Sequence, residues 1–353
     1  MKKIIILTCL LHFYVVTKSQ NQITEFLIGT SESLMHDTES LIESYMNPIG
    51  EWFGTGLNAG WYNSAKAHQF PGFDVTAGFH VIHPPSTALY FKPTDLEYLL
   101  INNDDQLSTI LGPDDNIIEL LYTNPVTQEN EPLFNAPGGL NWNHALLMPY
   151  IQGSIGLIKK TELLFRYAPA VNLKKLKTGF WGFGIKHDIK QWIPGIKVLP
   201  FDLSFIGAYS KLNSKYDFQQ SGQNLSFNVK AFNSNFVMSK KIAFLTPYVG
   251  LGYQYSNSDL SLNGDYIINN WNDELGIIEQ GADPITLSNP FDFSFGGVSG
   301  LKATVGARIK LLLFTIHIDW TKAQYDIFTI GFGLNSDIGS KLIGGTIDKA
   351  IIK

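Results

Sequence analysis

The chain has 353 residues, of which 44% are hydrophobic and 16% are charged, and its formal net charge is −5. Soluble globular proteins carry about 25% charged residues and nucleic-acid-binding proteins are usually basic, so the composition argues against both classes and against a nucleic-acid partner. The 32 glycines, 24 phenylalanines and 15 tyrosines favour a β protein with aromatic belts.

Residues 1–19 have the pattern of a cleaved secretory signal peptide. Lys2 and Lys3 precede an apolar stretch over residues 4–16, and Ser19 ends a short segment suited to cleavage. The single cysteine, Cys9, lies inside the apolar stretch, so we expect a mature chain without disulfides or thiolate chemistry. The rest of the sequence contains no run of about 18 apolar residues, so we expect no transmembrane helix.

Residues 20–50 are predicted to form a helical segment. Apolar residues recur at helical spacing over residues 23–46, and we expect Pro48 and Gly50 to end the helix. A short helix in front of a barrel can lie in the lumen as a plug. The alternatives are a helix that packs against the periplasmic rim and a helix that forms an extra soluble cap.

Later segments alternate apolar and polar residues with period two, as in a sheet with one apolar and one polar face. They lie at residues 73–81, 151–157, 163–167, 181–185, 201–205, 225–231, 249–255, 301–309, 312–320 and 328–334. The polar faces carry charge and glycine, which suits a water-filled lumen. The apolar faces carry aromatic residues, which suits lipid.

The alternation predicts an all-β fold, a transmembrane antiparallel β-barrel of about 14 strands (about 12 to 14) over residues 51–335. The alternative is a soluble antiparallel sheet with one solvated face. The repetition favours the barrel, because a soluble sandwich does not easily keep charge on one face of nearly every strand.

Two long excursions interrupt the strands, at about residues 84–145 and 267–297. Both are rich in acidic residues and asparagine, and we expect a little helix or a short hairpin in the first. Residues 336–353 form a tail after the last alternating segment. Either this tail folds into the periplasmic mouth, or the closing strand lies elsewhere.

A spaced pattern links the helical segment to the first strand. It reads Pro48-x-Gly50, Gly54, Leu57-Asn58-x-Gly60-Trp61-Tyr62-Asn63-x-Ala65-Lys66-x-His68 and Gly72-Phe73-Asp74. In this pattern, within residues 48–80, the sequence resembles an uncharacterised family of predicted outer-membrane β-barrel proteins of Bacteroidota. The resemblance implies an outer-membrane barrel and brings no substrate or catalytic residue.

Charged and titratable residues on the polar strand faces are the candidates for the lumen lining. They are Asp74, His80, Glu162, Arg166, Lys186, Asp188, Lys230, Lys302, Arg308, Lys310, His317 and Asp319. Because the signs are mixed, the set suits ion pairing across the lumen rather than a selective pore. The alternative, which we favour, is polar packing of the lumen with no role in selectivity. If an anionic solute is bound, the local basic cluster of Lys302, Arg308 and Lys310 is the first place to look.

No catalytic motif is present in the sequence. Ser204, His317 and Asp319 are the only set that could be written as a catalytic triad, and random choices would serve as well. The acidic runs do not have the spacing of a calcium-binding loop. We therefore expect no enzyme activity, no cofactor and no metal.

The signal peptide and barrel pattern together predict a protein of a Gram-negative outer membrane that contacts outer-membrane lipid. We expect a passive conduit for small solutes, with hydrophobic ones as one option, because a helix before the first strand suggests a plugged transporter layout. The alternative is a barrel without transport that serves as a subunit or scaffold for other outer-membrane proteins.

Overall fold

The computed structural model describes residues 35–94, 96–101, 105–124, 127–142, 144–173, 175–218, 222–268, 271–272, 277–278 and 284–336. The predicted signal peptide, the first part of the predicted helical segment (20–34) and residues 337–353 of the predicted tail lie outside the described residues. No helix in the described ranges is long and apolar enough to cross a lipid bilayer.

The described chain forms a closed antiparallel barrel of ten strands. They are β1 (Phe73–His83), β2 (Leu146–Gly156), β3 (Thr161–Leu173), β4 (Leu176–Asp188), β5 (Asp202–Asp217), β6 (Asn224–Ser239), β7 (Leu245–Asn263), β8 (Phe291–Leu311), β9 (Phe314–Lys322) and β10 (Asp326–Ser336). Because β1 pairs with both β2 and β10, the barrel has no free sheet edge. Residues 326–336 are therefore the closing strand.

The predicted count of about 12 to 14 strands is wrong. Each alternating segment of the sequence belongs to a barrel strand, and the additional short strands pair with one another outside the barrel. In the first excursion, Tyr90–Phe91 pairs with Leu107–Ser108, and Leu99–Leu100, Ile118–Thr123 and Asn130–Ala136 form a three-stranded sheet. In the second, Asp265–Ile268 pairs with Ile285–Ser288 and Trp271–Asn272 with Ile277–Ile278.

The two ends of the barrel differ in the length of their connections. At the end where β1 begins and β10 finishes, called the turn end here, most links are short, and the longest contains a 3₁₀ helix (Lys190–Trp192). At the opposite end, called the excursion end, lie both long excursions, the first of which opens with a 3₁₀ helix (Ser86–Ala88). The predicted second excursion is too long, because β8 already begins at Phe291.

A single helix of the described chain, α1 (Met35–Asn58), lies inside the barrel against β1, β5, β6, β7 and β8. The prediction that Pro48 and Gly50 end it is wrong, since α1 continues for two more turns. Gly50 faces the wall instead: a Cβ placed on it would lie 2.5 Å from the Ser258 hydroxyl oxygen. The close approach of helix and wall therefore requires glycine, although glycine costs about 1 kcal/mol in an unconstrained helix.

Strand β6 shows how the barrel changes character along its axis. Its odd-numbered side chains face inward throughout, and they are apolar near the excursion end, from Leu225 to Ala231, but polar further down, at Asn233 and Asn235. The expectation that Leu225, Phe227, Val229 and Ala231 face lipid is therefore wrong. The register does not shift along β6. The same face of the strand therefore points inward throughout, and only the polarity of its surroundings changes.

The lumen consequently has two layers. The apolar layer, at the excursion end, packs α1 and the first excursion against inward side chains such as Leu212, Phe227, Leu260 and Phe295. The polar layer, nearer the turn end, includes inward and buried Gln152, Glu162, Arg166, Lys302, His317 and Asp319.

The outer surface has the opposite polarity to the lumen where the lumen is polar. Around the polar layer every strand exposes large apolar side chains, as expected for a surface in contact with lipid. One from each strand, in order, is Val75, Ile155, Phe165, Phe183, Phe205, Phe236, Leu251, Val305, Ile318 and Phe332. Tyr167 and Trp181 face each other across β3 and β4, and Tyr209 lies 5.9 Å from Trp181 between ring centroids. These rings have the composition of an interfacial aromatic girdle.

Candidate functional site

The C-terminus of α1 lies within the polar layer. Gly60, directly after the helix, has φ +59°, the left-handed conformation that commonly terminates helices. The last carbonyls of a helix have no intrahelical partner. Here the indole N–H of Trp61 donates to the carbonyl of Leu57 at 2.9 Å, and the next three carbonyls along the chain bind cations from the barrel wall.

Arg166 and Lys302 supply these cations. The two terminal nitrogens of Arg166 donate to the carbonyls of Ala59 and Gly60, both at 2.8 Å, and Nζ of Lys302 donates to the carbonyl of Asn58 at 2.7 Å. A cation at the negative end of the helix dipole is favourable. The two buried charges therefore meet oriented carbonyl groups, which offsets part of their desolvation.

Residues 59–72, called the lumen segment here, continue from α1 along the polar layer. Asn63 Oδ1 accepts from Arg308 at 3.0 Å, and the N–H of Ala65 donates to the Ser239 hydroxyl at 3.0 Å. The N–H of His68 donates to Glu162 at 3.0 Å. The residues that carry the family resemblance are thus largely those that fasten the helix and the lumen segment to the wall.

Inward glycines on the wall make room for the large rings of the lumen segment. A Cβ on Gly182 or Gly184 would come within 3.1 and 3.2 Å of the Trp61 ring, and one on Gly250 would lie 2.1 Å from the Tyr62 hydroxyl oxygen. The glycines that alternate with aromatic residues in β4 and β7 therefore serve the plug as well as the sheet.

An ion pair and a hydrogen-bonded network lie at the turn end of the polar layer. Lys186 Nζ and Glu162 form a buried ion pair at 2.7 Å, and His68 Nδ1 lies 3.1 Å from the same carboxylate. Asn335 bridges His68 and Asp74, with its side-chain nitrogen 2.8 Å from Nε2 of one and an oxygen of the other. This network holds His68 between β3 and β4 on one side and β1 and β10 on the other.

The remaining inward candidates are His80, His317 and Asp319, and each contacts a neutral side chain of the wall. His80 stacks on Tyr150 with 4.5 Å between ring centroids, and its Nδ1 lies 3.1 Å from the Thr329 hydroxyl. His317 Nε2 lies 3.4 Å from the Tyr150 hydroxyl oxygen, and Tyr248 donates to Asp319 at 2.8 Å.

Two candidates lie at the edge of this set. Asp188 pairs with Lys160 at 3.1 Å at the turn end. The assignment of Lys230 to the lumen is wrong: its side chain is 47% exposed on the outer face and pairs with Asp259 at 2.8 Å. It belongs to the excursion end of β6, where the inward side chains are apolar and the polar side chains face outward.

The predicted basic cluster does not form an anion site in the described chain. Lys302 binds the helix terminus, Arg308 binds Asn63, and the half-buried Lys310 donates to Asn335. Each of the three cations therefore has its own acceptor on the plug or the wall.

The triad written from the sequence is not assembled either. Ser204 lies on β5, whereas His317 and Asp319 lie on β9, and these strands are not neighbours. The Ser204 hydroxyl donates to the carbonyl of Ala65. No group of three or more potential metal-ligating side chains occurs in the described ranges.

Gln152 is a site residue that the charge pattern missed. Its side-chain oxygen accepts from Arg166 at 2.7 Å, and its amide nitrogen lies 3.4 Å from the carbonyl of Trp61. A neutral amide gives no charge signal, although its alternate position in β2 marks it as inward. Asn335 was missed for the same reason.

A cavity of about 70 Å³ remains in the apolar layer between α1, the first excursion and the wall. Its lining consists of Met46, Ile49, Trp52, Phe53, Ile110, Trp142, Leu146, Leu176, Thr178, Ser214, Tyr216, Leu225 and Phe227. Trp52 and Trp142 meet edge to face at 6.0 Å between ring centroids, and Phe53 and Phe227 are equally far apart. No local sequence pattern indicates this site, because its residues come from separate elements.

The family model of DUF6588, a family of unknown function, matches residues 1–336. The chain belongs to this family. None of the curated proteins matches it. The expectation of an uncharacterised family is thereby confirmed, and the lumen contacts described above are those of a DUF6588 member.

Among solved structures, this DUF6588 chain has low similarity to three proteins. The attachment invasion locus protein Ail of Yersinia pestis has 8% identity and a TM-score of 0.26, with 75% of this chain and 98% of that chain covered. The translocator domain of the autotransporter NalP from Neisseria meningitidis has 9% identity and a TM-score of 0.26, with 84% and 96% covered. The P. putida toluene transporter TodX has 8% identity and a TM-score of 0.24, with 73% and 66% covered.

Proposed function

We propose that this DUF6588 protein is an integral β-barrel of a Gram-negative outer membrane and acts as a gated conduit for small solutes. The exposed apolar side chains that surround the polar layer support the membrane location. In this arrangement the excursion end faces outward and the turn end faces the periplasm, because outer-membrane barrels carry their long loops outside. We assign it no catalytic role.

The polar wall behind the plug is the observation that supports a gated conduit. A barrel that stayed closed permanently would be stable with an apolar interior. Here α1 and the lumen segment are held by side-chain hydrogen bonds from residues such as Arg166, Lys302, Ser239 and Glu162. Water can replace such bonds at modest net cost, so the wall remains solvated if the plug withdraws.

A reversible disulfide between plug and wall tests the gate. A Cβ placed on Gly50 lies 3.3 Å from Cβ of Ser258, close to the separation of about 3.8 Å in disulfides. The double variant Gly50→Cys/Ser258→Cys, with Cys9→Ser, is inserted in planar bilayers and its conductance is recorded. We expect brief openings in the reduced protein, as in the wild type, and none after oxidation.

The single variants Gly50→Cys and Ser258→Cys are the matched controls, and oxidation should leave their conductance unchanged. A wild-type barrel that shows no openings under any voltage, in bilayers that report a known porin, would contradict the gated conduit. If openings persist in the oxidised double variant, ions cross the barrel by a route that does not depend on movement of α1.

A second candidate function is that of a scaffold in an outer-membrane assembly. Two turns at the turn end expose large apolar side chains: Phe244 is exposed and Leu312 is 91% exposed. The N–H of Lys310 donates to the carbonyl of Phe244 at 2.8 Å, so the two turns form one patch. Extraction in mild detergent and native mass measurement test this candidate, and a monomer in every detergent would count against it.

A further inference from the structure

The cavity in the apolar layer has a lining that selects a class of ligand. We infer that it binds one small, neutral and mainly apolar molecule that carries a hydrogen-bond acceptor. This inference rests on the proposed function, because it names the class of solute that the conduit would take.

The size and lining of the cavity restrict what can occupy it. Its volume is about 70 Å³, whereas an engineered dry cavity of about 150 Å³ binds benzene. A ring ligand as large as benzene therefore enters only if the lining expands, and the flexible side chain of Met46 permits such an expansion. No charged side chain lines the cavity, and a charged ligand would lose its hydration without gaining a partner.

Trp142 provides a hydrogen-bond donor at the cavity. The indole N–H groups of Trp52 and Trp61 are both satisfied at 2.9 Å, by the carbonyls of Ile82 and Leu57. The indole nitrogen of Trp142 is buried, and none of the described residues accepts its hydrogen bond. Buried donors are rarely left unpaired, so an acceptor on a bound molecule is the natural partner.

Two hydroxyl groups of the wall occupy one side of the same cavity. Thr178 and Ser214 are direct partners across β4 and β5, and both line the cavity. A bound water would need two to four polar partners, and Thr178, Ser214, Tyr216 and Trp142 are lining residues with polar groups that could supply them. Water is therefore the competing occupant, and the experiment must separate it from an organic ligand.

Two probes of nearly equal shape make this distinction. Cyclopentanone carries a carbonyl oxygen, and methylenecyclopentane carries a CH₂ group in its place. The full chain is reconstituted in lipid nanodiscs, and the affinity for each probe is measured by titration calorimetry. We expect the wild type to bind the ketone about threefold to tenfold more tightly than the alkene, as one hydrogen bond would give.

Variants of the lining identify the site. Trp142→Phe keeps an aromatic ring but removes the donor, and it should lose the preference for the ketone and favour the alkene, because the carbonyl oxygen would then be buried without a partner. Leu225→Trp fills the cavity and should bind neither. Leu251→Trp makes the same change on the exposed outer face and should bind as the wild type does, which controls for partition of the probes into lipid.

The inference is overturned if the wild type and Leu225→Trp give the same heats with both probes, because binding would then be partition into lipid or displacement of water alone. It is also overturned if Trp142→Phe keeps the preference for the ketone. If Leu225→Trp does not fold, Trp142→Phe with normal heat-modifiable migration on a gel still decides. Probe binding by a barrel that never conducts would leave this site intact and remove only the gated conduit.

Discussion

Arg166 and Lys302 reach consecutive carbonyl groups of one helix terminus from opposite sides of the barrel. Arg166 lies on β3 and Lys302 on β8, and four strands separate them in either direction around the wall. Between them lie the carbonyls of Asn58, Ala59 and Gly60. Two charges from opposite strands of the wall therefore hold the end of the plug between them.

Loss of Arg166 should destabilise the barrel more than loss of Lys302. Arg166→Gln leaves two buried carbonyls without their charged donor, and we expect the free energy of unfolding to fall by about 2–4 kcal/mol; Lys302→Gln removes one bond and should lower it by about 1–3 kcal/mol. Urea unfolding in lipid vesicles, followed by tryptophan fluorescence, measures both. Lys230→Gln, on the outer surface, is the control and should leave the free energy of unfolding nearly unchanged, because exposed ion pairs contribute little. Equal small effects for all three would mean that the helix terminus is not held by these charges.

Substitution of Gly54 by alanine should destabilise the protein, whereas the same substitution at an ordinary helical glycine is stabilising. Alanine in place of glycine normally stabilises a helix by about 1 kcal/mol. Here its Cβ would lie 2.0 Å from the Ser256 hydroxyl oxygen, so Gly54→Ala should destabilise by about 1–3 kcal/mol. The double variant Gly54→Ala/Ser256→Gly should recover part of the loss, measured by the same unfolding assay. A stabilised Gly54→Ala would show that the helix does not approach β7 this closely.

Cysteine labelling tests the reversal of faces in β6. Lys230→Cys should react with a membrane-impermeant maleimide on intact cells, because that side chain is exposed on the outer face near the excursion end. Val229→Cys, one residue away and fully buried, should not react. Cys9→Ser serves as the background for both. Labelling of Val229→Cys in preference to Lys230→Cys would restore the assignment made from the sequence.

Brominated lipids should quench some tryptophans and spare others. Trp181 and Trp320 are exposed on the outer surface, whereas Trp52, Trp61 and Trp142 are buried in the lumen. In vesicles of brominated lipid, Trp181→Phe and Trp320→Phe should each reduce the quenched fraction of the fluorescence, and Trp61→Phe should increase it. No quenching of the wild type by lipid brominated at any depth would contradict a membrane-embedded barrel.

The anchor between Asp37 and the first excursion should weaken at low pH. Burial alone would raise the pKa of the Asp37 carboxyl, but three N–H groups, from Glu97, Tyr98 and Leu99 at 2.7–2.8 Å, outweigh burial and lower the pKa below its usual value. A lowered pKa in the folded state stabilises this contact above the unfolded pKa of about 3.9. The stabilisation is lost as pH falls through the folded pKa.

Hydrogen exchange of the amides of residues 97–99 measures this loss. Exchange corrected for its intrinsic pH dependence should accelerate below about pH 4 in the wild type. Asp37→Asn has no ionisable group at this position, so its corrected exchange should be faster at neutral pH and show no such step. A wild type without the step, or a variant that keeps it, would assign the anchoring to other contacts.

Local alternation was enough to predict that this chain forms an antiparallel barrel. Side chains of a strand alternate between faces regardless of its neighbours, so the pairing of Phe183 and Ile185 against Lys186, or of Ile316 and Ile318 against His317 and Asp319, is legible in the sequence and recurs in the structure. The inward positions of Arg166 and Lys302 follow from the same rule.

The tertiary structure alone decided which face of each strand points into the barrel and what fills the interior. Alternation distinguishes two faces but does not say which medium each one meets, and this is why Lys230 and Leu225 were assigned to the wrong sides. The extension of α1 through Pro48 and Gly50 likewise depends on Ser258 and Tyr325, which lie far away in the chain. Contacts between residues distant in sequence set these features, and no local pattern records such contacts.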